Sequence, residues 1–186
     1  MCRHASVCAL LLRSGEKESR IEYSISLSIV QFLFVCLGNT CRSPMAEAVL
    51  KDLINKKQLL NWHTDSAGLR DWNVGMQAQG RAQTLLHQQG LKTDHITRAI
   101  TVEDFYNFDI IFGMDDNNMT ELRLIDEQLE PPAKCQIKLL GSYLNPEQDQ
   151  IIRDPYFTKG MASFYTAYMQ IKESCERFVE LHRDAA

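Results

Sequence analysis

Residues 30–37 read Val-Gln-Phe-Leu-Phe-Val-Cys-Leu, an almost uninterrupted apolar run. A stretch this short and this apolar has no polar side to turn to water, so it is expected as a central parallel strand covered on both faces. The segments downstream alternate to match. Helical spacing or strand-like apolar runs predict a helix over 44–56, a strand over 62–67, a helix over 79–89 stopped by Gly90, a strand over 109–114, a helix over 116–125 and a strand over 135–140. A long helix over 163–182 closes the chain, with Phe164, Ala167, Tyr168, Ile171, Cys175, Phe178 and Leu181 as its core stripe. The expected fold is therefore α/β: a single domain with an open four-stranded parallel sheet and helices on both faces. Ligands of such sheets bind outside the carboxyl ends of the strands.

The first strand ends in Cys36-Leu37-Gly38-Asn39-Thr40-Cys41-Arg42-Ser43-Pro44. Five residues between Cys36 and Arg42 are few enough to curl the backbone into a nest of N–H groups, closed by the N-terminus of the next helix, where an oxyanion can sit. The expected phosphate-binding residues are Leu37, Gly38, Asn39, Thr40, Cys41 and Arg42. A thiol at the centre of such donors, beside a guanidinium, is expected as the thiolate, which makes Cys36 a nucleophile. Arg42 offers a planar fork for two phosphoryl oxygens. Gly38 allows close backbone approach, Asn39 tolerates the left-handed conformation, Ser43 is placed to give its hydroxyl to the sulfur, and Pro44 suits a first helical turn. The alternative, a cysteine that is merely a small buried hydrophobe, does not account for the Gly, Asn, Arg, Ser and Pro at these offsets. A nucleotide P-loop is excluded, because no Gly-Lys-Ser/Thr follows the glycine.

Phosphate-ester cleavage also wants a proton donor on a loop that reaches over the nest. Asp154 is the candidate: Pro155 stiffens it, and Tyr156 with Phe157 can wall a substrate. Asp-Pro is equally a common turn opener, so spacing alone leaves the role open. Asp115 can cap the helix that starts at residue 116.

These segments resemble the low-molecular-weight protein tyrosine phosphatases, cysteine-dependent enzymes that need no metal or other cofactor. The likeness continues in order through Asp65-Ser66-Ala67-Gly68, His95-Ile96-Thr97-Arg98, Glu103-Asp104-Phe105, Met114-Asp115, Leu139-Leu140-Gly141-Ser142-Tyr143 and Asp154-Pro155-Tyr156. It implies catalysis by Cys36, Arg42 and Asp154 through a phosphocysteine, on phosphorylated protein substrates. It implies that His95 joins Asn39 and Ser43 in a network holding the nest, that Asp115 helps position the loops, and that Leu37, Thr40, Trp72, Tyr156 and Phe157 form the substrate cleft. Cys41 is either a packed side chain or a disulfide partner for Cys36 under oxidant.

Three departures bear on substrate. Residues 69–78, at the cleft rim, lack the Pro-Pro element of many animal relatives, and Phe157 stands where those relatives often have a second Tyr. Thr40 replaces the branched aliphatic residue usual in tyrosine-specific animal relatives and resembles the bacterial protein arginine phosphatases of the same superfamily. Phosphotyrosine is the expected substrate, with phosphoarginine the alternative. An arsenate reductase is disfavoured, because Cys135 and Cys175 are not paired in sequence. A silent phosphate-binding module is more remote, since Cys36, Arg42 and Asp154 are all retained.

Composition is consistent with this reading. At 186 residues the chain suits one globular unit, and a net charge of −4 without a long Lys/Arg run gives no reason to expect nucleic acid. Six cysteines form neither a CxxC pair nor a zinc pattern, and no apolar stretch is long enough for a membrane span. A working thiolate wants a reducing compartment, so a cytoplasmic monomer is expected. Residues 1–29 stand apart as a flexible extension upstream of a phosphatase domain over 30–186; a weak transit peptide is the second reading.

Overall fold

The computed structural model describes residues 29–183. The expectations for the N-terminal extension over 1–29 fall almost wholly outside those residues.

Strand β1 (Val30–Cys36) leads through a loop into α1 (Arg42–Lys57), followed by β2 (Trp62–Gly68), α2 (Gly80–Gln88), α3 (Val102–Asn107), β3 (Ile110–Gly113), α4 (Asp116–Asp126), β4 (Gln136–Leu139) and α5 (Ala162–His182). The four strands are all parallel, in the order β2-β1-β3-β4, with β1 paired to β2 from Val30↔Trp62 to Cys36↔Gly68 and to β3 from Phe32↔Ile110 to Val35↔Gly113. The chain therefore winds outward from β1 in both directions. That reversal opens a crevice at the carboxyl end of β1, where Cys36 sits.

The apolar run of β1 divides between two cores. Phe32, Phe34 and Cys36 face α1, α2 and α5, while Leu33 and Val35 face α3 and α4. All five are essentially buried, and at about 1.5–3 kcal/mol per fully buried large side chain this strand anchors both layers. Phe178 of α5 is the hub of the first core: its ring packs 5.2 Å from those of Phe32, Phe112 and Tyr143 and 5.5 Å from Trp62.

The sequence reading differs from the structure at a few places. Leu181, assigned to the core stripe of α5, is 71% exposed, because Val179 takes the last inward position beside Phe178. Strand β4 stops at Leu139, and Leu140–Tyr143 turns as a short 3₁₀ helix. Helix α3 was not anticipated. Its six residues are too few to show a period, but Asp104 reaches back to accept from Thr101 N at 2.8 Å, the reciprocal half of a Thr-x-x-Asp start.

Candidate active site

Because β1 ends at Cys36 and α1 begins at Arg42, the five residues between them close a loop directly at the crevice. Asn39 is its keystone. It takes φ +52°, a left-handed conformation that a non-glycine residue keeps only where its surroundings demand it. Those surroundings are explicit: Nδ2 donates to Ser43 Oγ at 2.9 Å and to Ser66 Oγ at 3.0 Å, and Oδ1 accepts from Arg98 N at 3.0 Å. Its carbonyl oxygen accepts from Thr97 Oγ1 at 3.1 Å and meets His95 Nε2 at 3.0 Å. A carbonyl only accepts, so His95 Nε2 carries the proton. The other ring nitrogen lies 3.4 Å from Ser66 Oγ and 3.3 Å from Glu47 Oε2, and Ser66 Oγ donates to Glu47 at 2.7 Å.

Cys36 is buried, with its sulfur 3.1 Å from Ser43 Oγ. Arg42, 2% exposed, donates through Nη1 to Asp115 Oδ2 at 2.5 Å and to Ile152 O at 3.0 Å, and through Nη2 to Asp154 Oδ2 at 2.9 Å. Its Nε is buried without a partner. Burial works against the guanidinium charge, but the charges of Cys36 and Asp154 and the bond to Asp115 outweigh it, so its pKa is raised further. Asp115 makes two contacts: Oδ1 caps α4 at Asn118 N, 2.8 Å away, and Oδ2 accepts from Arg42 Nη1. The Asp154 carboxylate is likewise divided: Oδ1 accepts from Tyr156 N at 3.0 Å and Oδ2 from Arg42.

The loop and the proton-donor candidate thus meet at one cleft of about 250 Å³, lined by Cys36, Leu37, Gly38, Thr40, Cys41, Arg42, Trp72, Asn73, Asp154, Tyr156 and Phe157. A family model described as low molecular weight phosphotyrosine protein phosphatase matches residues 31–185. The chain belongs to that family. It is 42% identical over 149 residues to low molecular weight phosphotyrosine protein phosphatase 1 of Drosophila melanogaster, covering 80% of this chain and 94% of the relative. It is 40% identical over 149 residues to the Homo sapiens low molecular weight phosphotyrosine protein phosphatase, covering 80% and 92%. Among solved structures it resembles a Drosophila arginine phosphatase with a TM-score of 0.80 and 56% identity, over 81% of this chain and 96% of that one.

Three aromatic residues edge the cleft of this phosphatase family member: Trp72, 66% exposed, and Tyr156 and Phe157, whose rings meet edge to face 5.2 Å apart. Trp72 is therefore a rim residue and not a core one. Thr40 also lines the cleft, its hydroxyl 3.7 Å from Cys41 Sγ. Cys41 is buried, and that burial, against the hydrogen bond from Thr40, pushes its thiol up to about 12. Of the residues named from the sequence, Cys36, Leu37, Gly38, Thr40, Cys41, Arg42, Trp72, Asp154, Tyr156 and Phe157 line the cleft, Ser43 and Asp115 each touch a lining residue, and Asn39 and His95 lie in the hydrogen-bond network behind the loop. Among the described residues no group of three or more His, Cys, Asp or Glu is arranged to hold a metal ion.

Several supports of the phosphatase loop had no role in the sequence reading. Asn73 Nδ2 donates to Gly38 O at 3.0 Å, and a Cβ on Gly38 would stand 2.8 Å from that nitrogen, so a larger residue there would displace the tip of the Asn73 side chain. Ser66, Thr97 and Arg98 lie inside segments that carried the resemblance, so their positions were visible though their tasks were not. Glu47 had no signal at all, because one acid on an amphipathic helix reads as solvated surface.

Proposed function

We propose that this chain hydrolyses phosphorylated protein side chains through a phosphocysteine on Cys36. The reading rests on one observation: Cys36, with Ser43 against its sulfur, and Arg42, all close in the chain, meet Asp154 from 112 residues beyond Arg42 at one cleft. The Cys36 thiolate attacks phosphorus, forming the S–P bond as the bond to the leaving group breaks. Asp154 gives its proton to the departing atom. The nest N–H groups and Arg42 hold the phosphoryl oxygens, with most effect as those oxygens spread in the transition state. In the second half, Asp154 takes a proton from water, water oxygen attacks phosphorus, and the sulfur leaves with the Ser43 hydroxyl donating to it. The net reaction is substrate plus water to free side chain plus inorganic phosphate.

Phosphotyrosine is the substrate that the family description carries. Phosphoarginine is a second reading, favoured by Thr40 at the cleft and by 56% identity to a protein described as an arginine phosphatase. A hydroxyl at position 40 can meet a guanidinium, whereas a phenyl ring leaves it unpaired. These two observations tilt the preference toward phosphoarginine within one shared chemistry. Residues 30–186 are the proposed catalytic unit, acting as a monomer on protein substrates in the cytoplasm, where the thiol stays reduced.

The test is kcat/KM on matched phosphotyrosine and phosphoarginine peptides, with Cys36→Ser as the control. Phosphate release that Cys36→Ser abolishes is expected. Release from neither peptide, or turnover that survives Cys36→Ser, overturns the proposal.

A further inference from the structure

The start of α2 touches two loops of the site at once. Gln79, at its N-cap, donates its backbone N–H to Thr40 O at 2.8 Å, and its side-chain oxygen accepts from Arg81 N at 2.6 Å. From the next turn of backbone, the Arg81 guanidinium reaches the segment that follows Asp154. Nη2 donates to Tyr156 O at 2.8 Å, and Nη1 to Thr158 O at 2.5 Å and to Gly160 O at 3.4 Å. The guanidinium carbon lies 4.4 Å from the ring centroid of Phe164, a fully buried residue in the first turn of α5.

The segment's other contacts are short-range: Thr158 donates to Pro155 O through Oγ1 at 2.8 Å and through its N–H at 3.3 Å, and the Tyr156 and Phe157 rings meet edge to face. Residues 156–160 are all exposed and belong to no helix or strand, and Gly160 takes φ +77°. An exposed stretch without apolar burial sits at the low-stability end of a protein, so three hydrogen bonds from one planar fork are a large part of its order. Tyr156 is the link to chemistry: its carbonyl is held by Arg81, and its N–H is donated to Asp154 Oδ1 at 3.0 Å.

The geometry points to Arg81 as a positioning residue for the proton donor, holding Tyr156 and through it the Asp154 carboxylate over the nest. This inference rests on the reading of Asp154 as the acid. Arg81 touches no reacting atom. Because Gln79 binds Thr40 O, the same helix end ties the acid loop to the nucleophile loop, and α2 sets the distance between donor and acceptor.

Arg81→Met keeps an apolar stem over Phe164 and removes the donors; Arg81→Lys keeps the charge but cannot bridge three carbonyls. Both are to be assayed on a series of aryl phosphates whose leaving groups range from acidic to weakly acidic phenols, alongside vanadate affinity and amide hydrogen exchange at 156–160. Arg81→Met is expected to lose about tenfold in kcat on the poorest leaving groups, part of the 10²–10⁴ that a placed acid supplies. It should lose little on the best leaving groups, keep vanadate affinity, and exchange faster at 156–160, with Arg81→Lys intermediate. An equal loss across the series, or none, overturns the positioning role. If the native chain turns over no aryl phosphate, the proposed function is decided by the two peptides instead, and unchanged exchange at 156–160 in the variants then overturns the strap by itself. Should Arg81→Met fail to bind vanadate, Arg81→Lys carries the same comparison.

Discussion

Asp115 and Arg42 are joined by a 2.5 Å contact between Oδ2 and Nη1, while the other oxygen of the same carboxylate caps α4. One side chain thus sets a helix start and holds the Arg42 guanidinium that is proposed to bind phosphate. Its two tasks can be separated, because asparagine keeps an acceptor for the cap and loses the charge.

Asp115→Asn is accordingly expected to lower kcat/KM about 10–100-fold with a nearly unchanged Tm, since a hydrogen bond to a charged group is worth about 1.5–3 kcal/mol. Asp115→Ala should show the same kinetic loss and a further stability cost of about 1 kcal/mol from the missing cap. Steady-state kinetics with thermal unfolding of both variants measures the split. Equal Tm for the two would mean that the cap contributes nothing.

Ser43 Oγ, 3.1 Å from Cys36 Sγ, should matter most when sulfur leaves. Ser43→Ala is expected to accumulate phosphoenzyme, with its breakdown slowed about 5–10-fold by loss of a bond worth about 1 kcal/mol. Acid-quenched samples analysed by mass spectrometry measure the accumulation. A phosphoenzyme level equal to that of the native chain would remove Ser43 from that step.

Asp154→Ala should lower turnover by about 10²–10⁴ on substrates with basic leaving groups and far less on those whose leaving group needs no proton. Arg42→Lys, which keeps charge but not the fork, should reduce both vanadate binding and turnover whatever the leaving group. A leaving-group series distinguishes the pair. Indistinguishable slopes for the two variants would refute the division of labour.

Thr40→Ile removes a hydroxyl from the cleft and adds apolar surface, worth roughly 1–2 kcal/mol to an aromatic ring. Loss of a hydrogen bond to a guanidinium adds about 1–3 kcal/mol in the same direction, so the preference for phosphotyrosine over phosphoarginine should rise at least about tenfold in the ratio of kcat/KM values. Matched peptides assayed with both proteins give the ratio. An unchanged one would leave the arginine reading without its main residue.

Stability should fall at alkaline pH in a defined direction. Burial raises the Cys41 thiol from 9.0 to about 12 and the Cys135 thiol to about 11, and raises the fully buried Cys175 thiol as well. Between those values the unfolded chain has released protons that the folded chain retains, so the slope of unfolding free energy with pH is negative. The contribution is complete below pH 9 and is lost above it, at about 1 kcal/mol per pH unit for a thiol as buried as Cys41. Denaturant unfolding at pH 8 and at pH 10 should show the drop, and Cys175→Ala should lessen it. A flat profile across that interval would contradict the burial argument.

Local sequence determined much of this protein. The apolar run 30–37 is expected as a doubly covered central strand, and its division between two cores follows from period-two alternation. The nest is also local, because Cys36, Asn39, Arg42 and Ser43 are neighbours in the chain, and Asn39 is one of the few residue types at ease with φ +52°. What spacing left open were the long-range partnerships. Asp154 reaches Arg42 across 112 residues, Asp115 across 73, His95 reaches Asn39 across 56, and Glu47 joins the network through Ser66. Each of these side chains has an ordinary local explanation, as a turn opener, a helix cap or a solvated acid, and nothing along the chain encodes which buried donor it will meet. That was decided by parallel strand order, which brings the carboxyl ends of β1 and β3 side by side, and by the cost of burying Arg42, which draws acceptors from wherever the fold presents them.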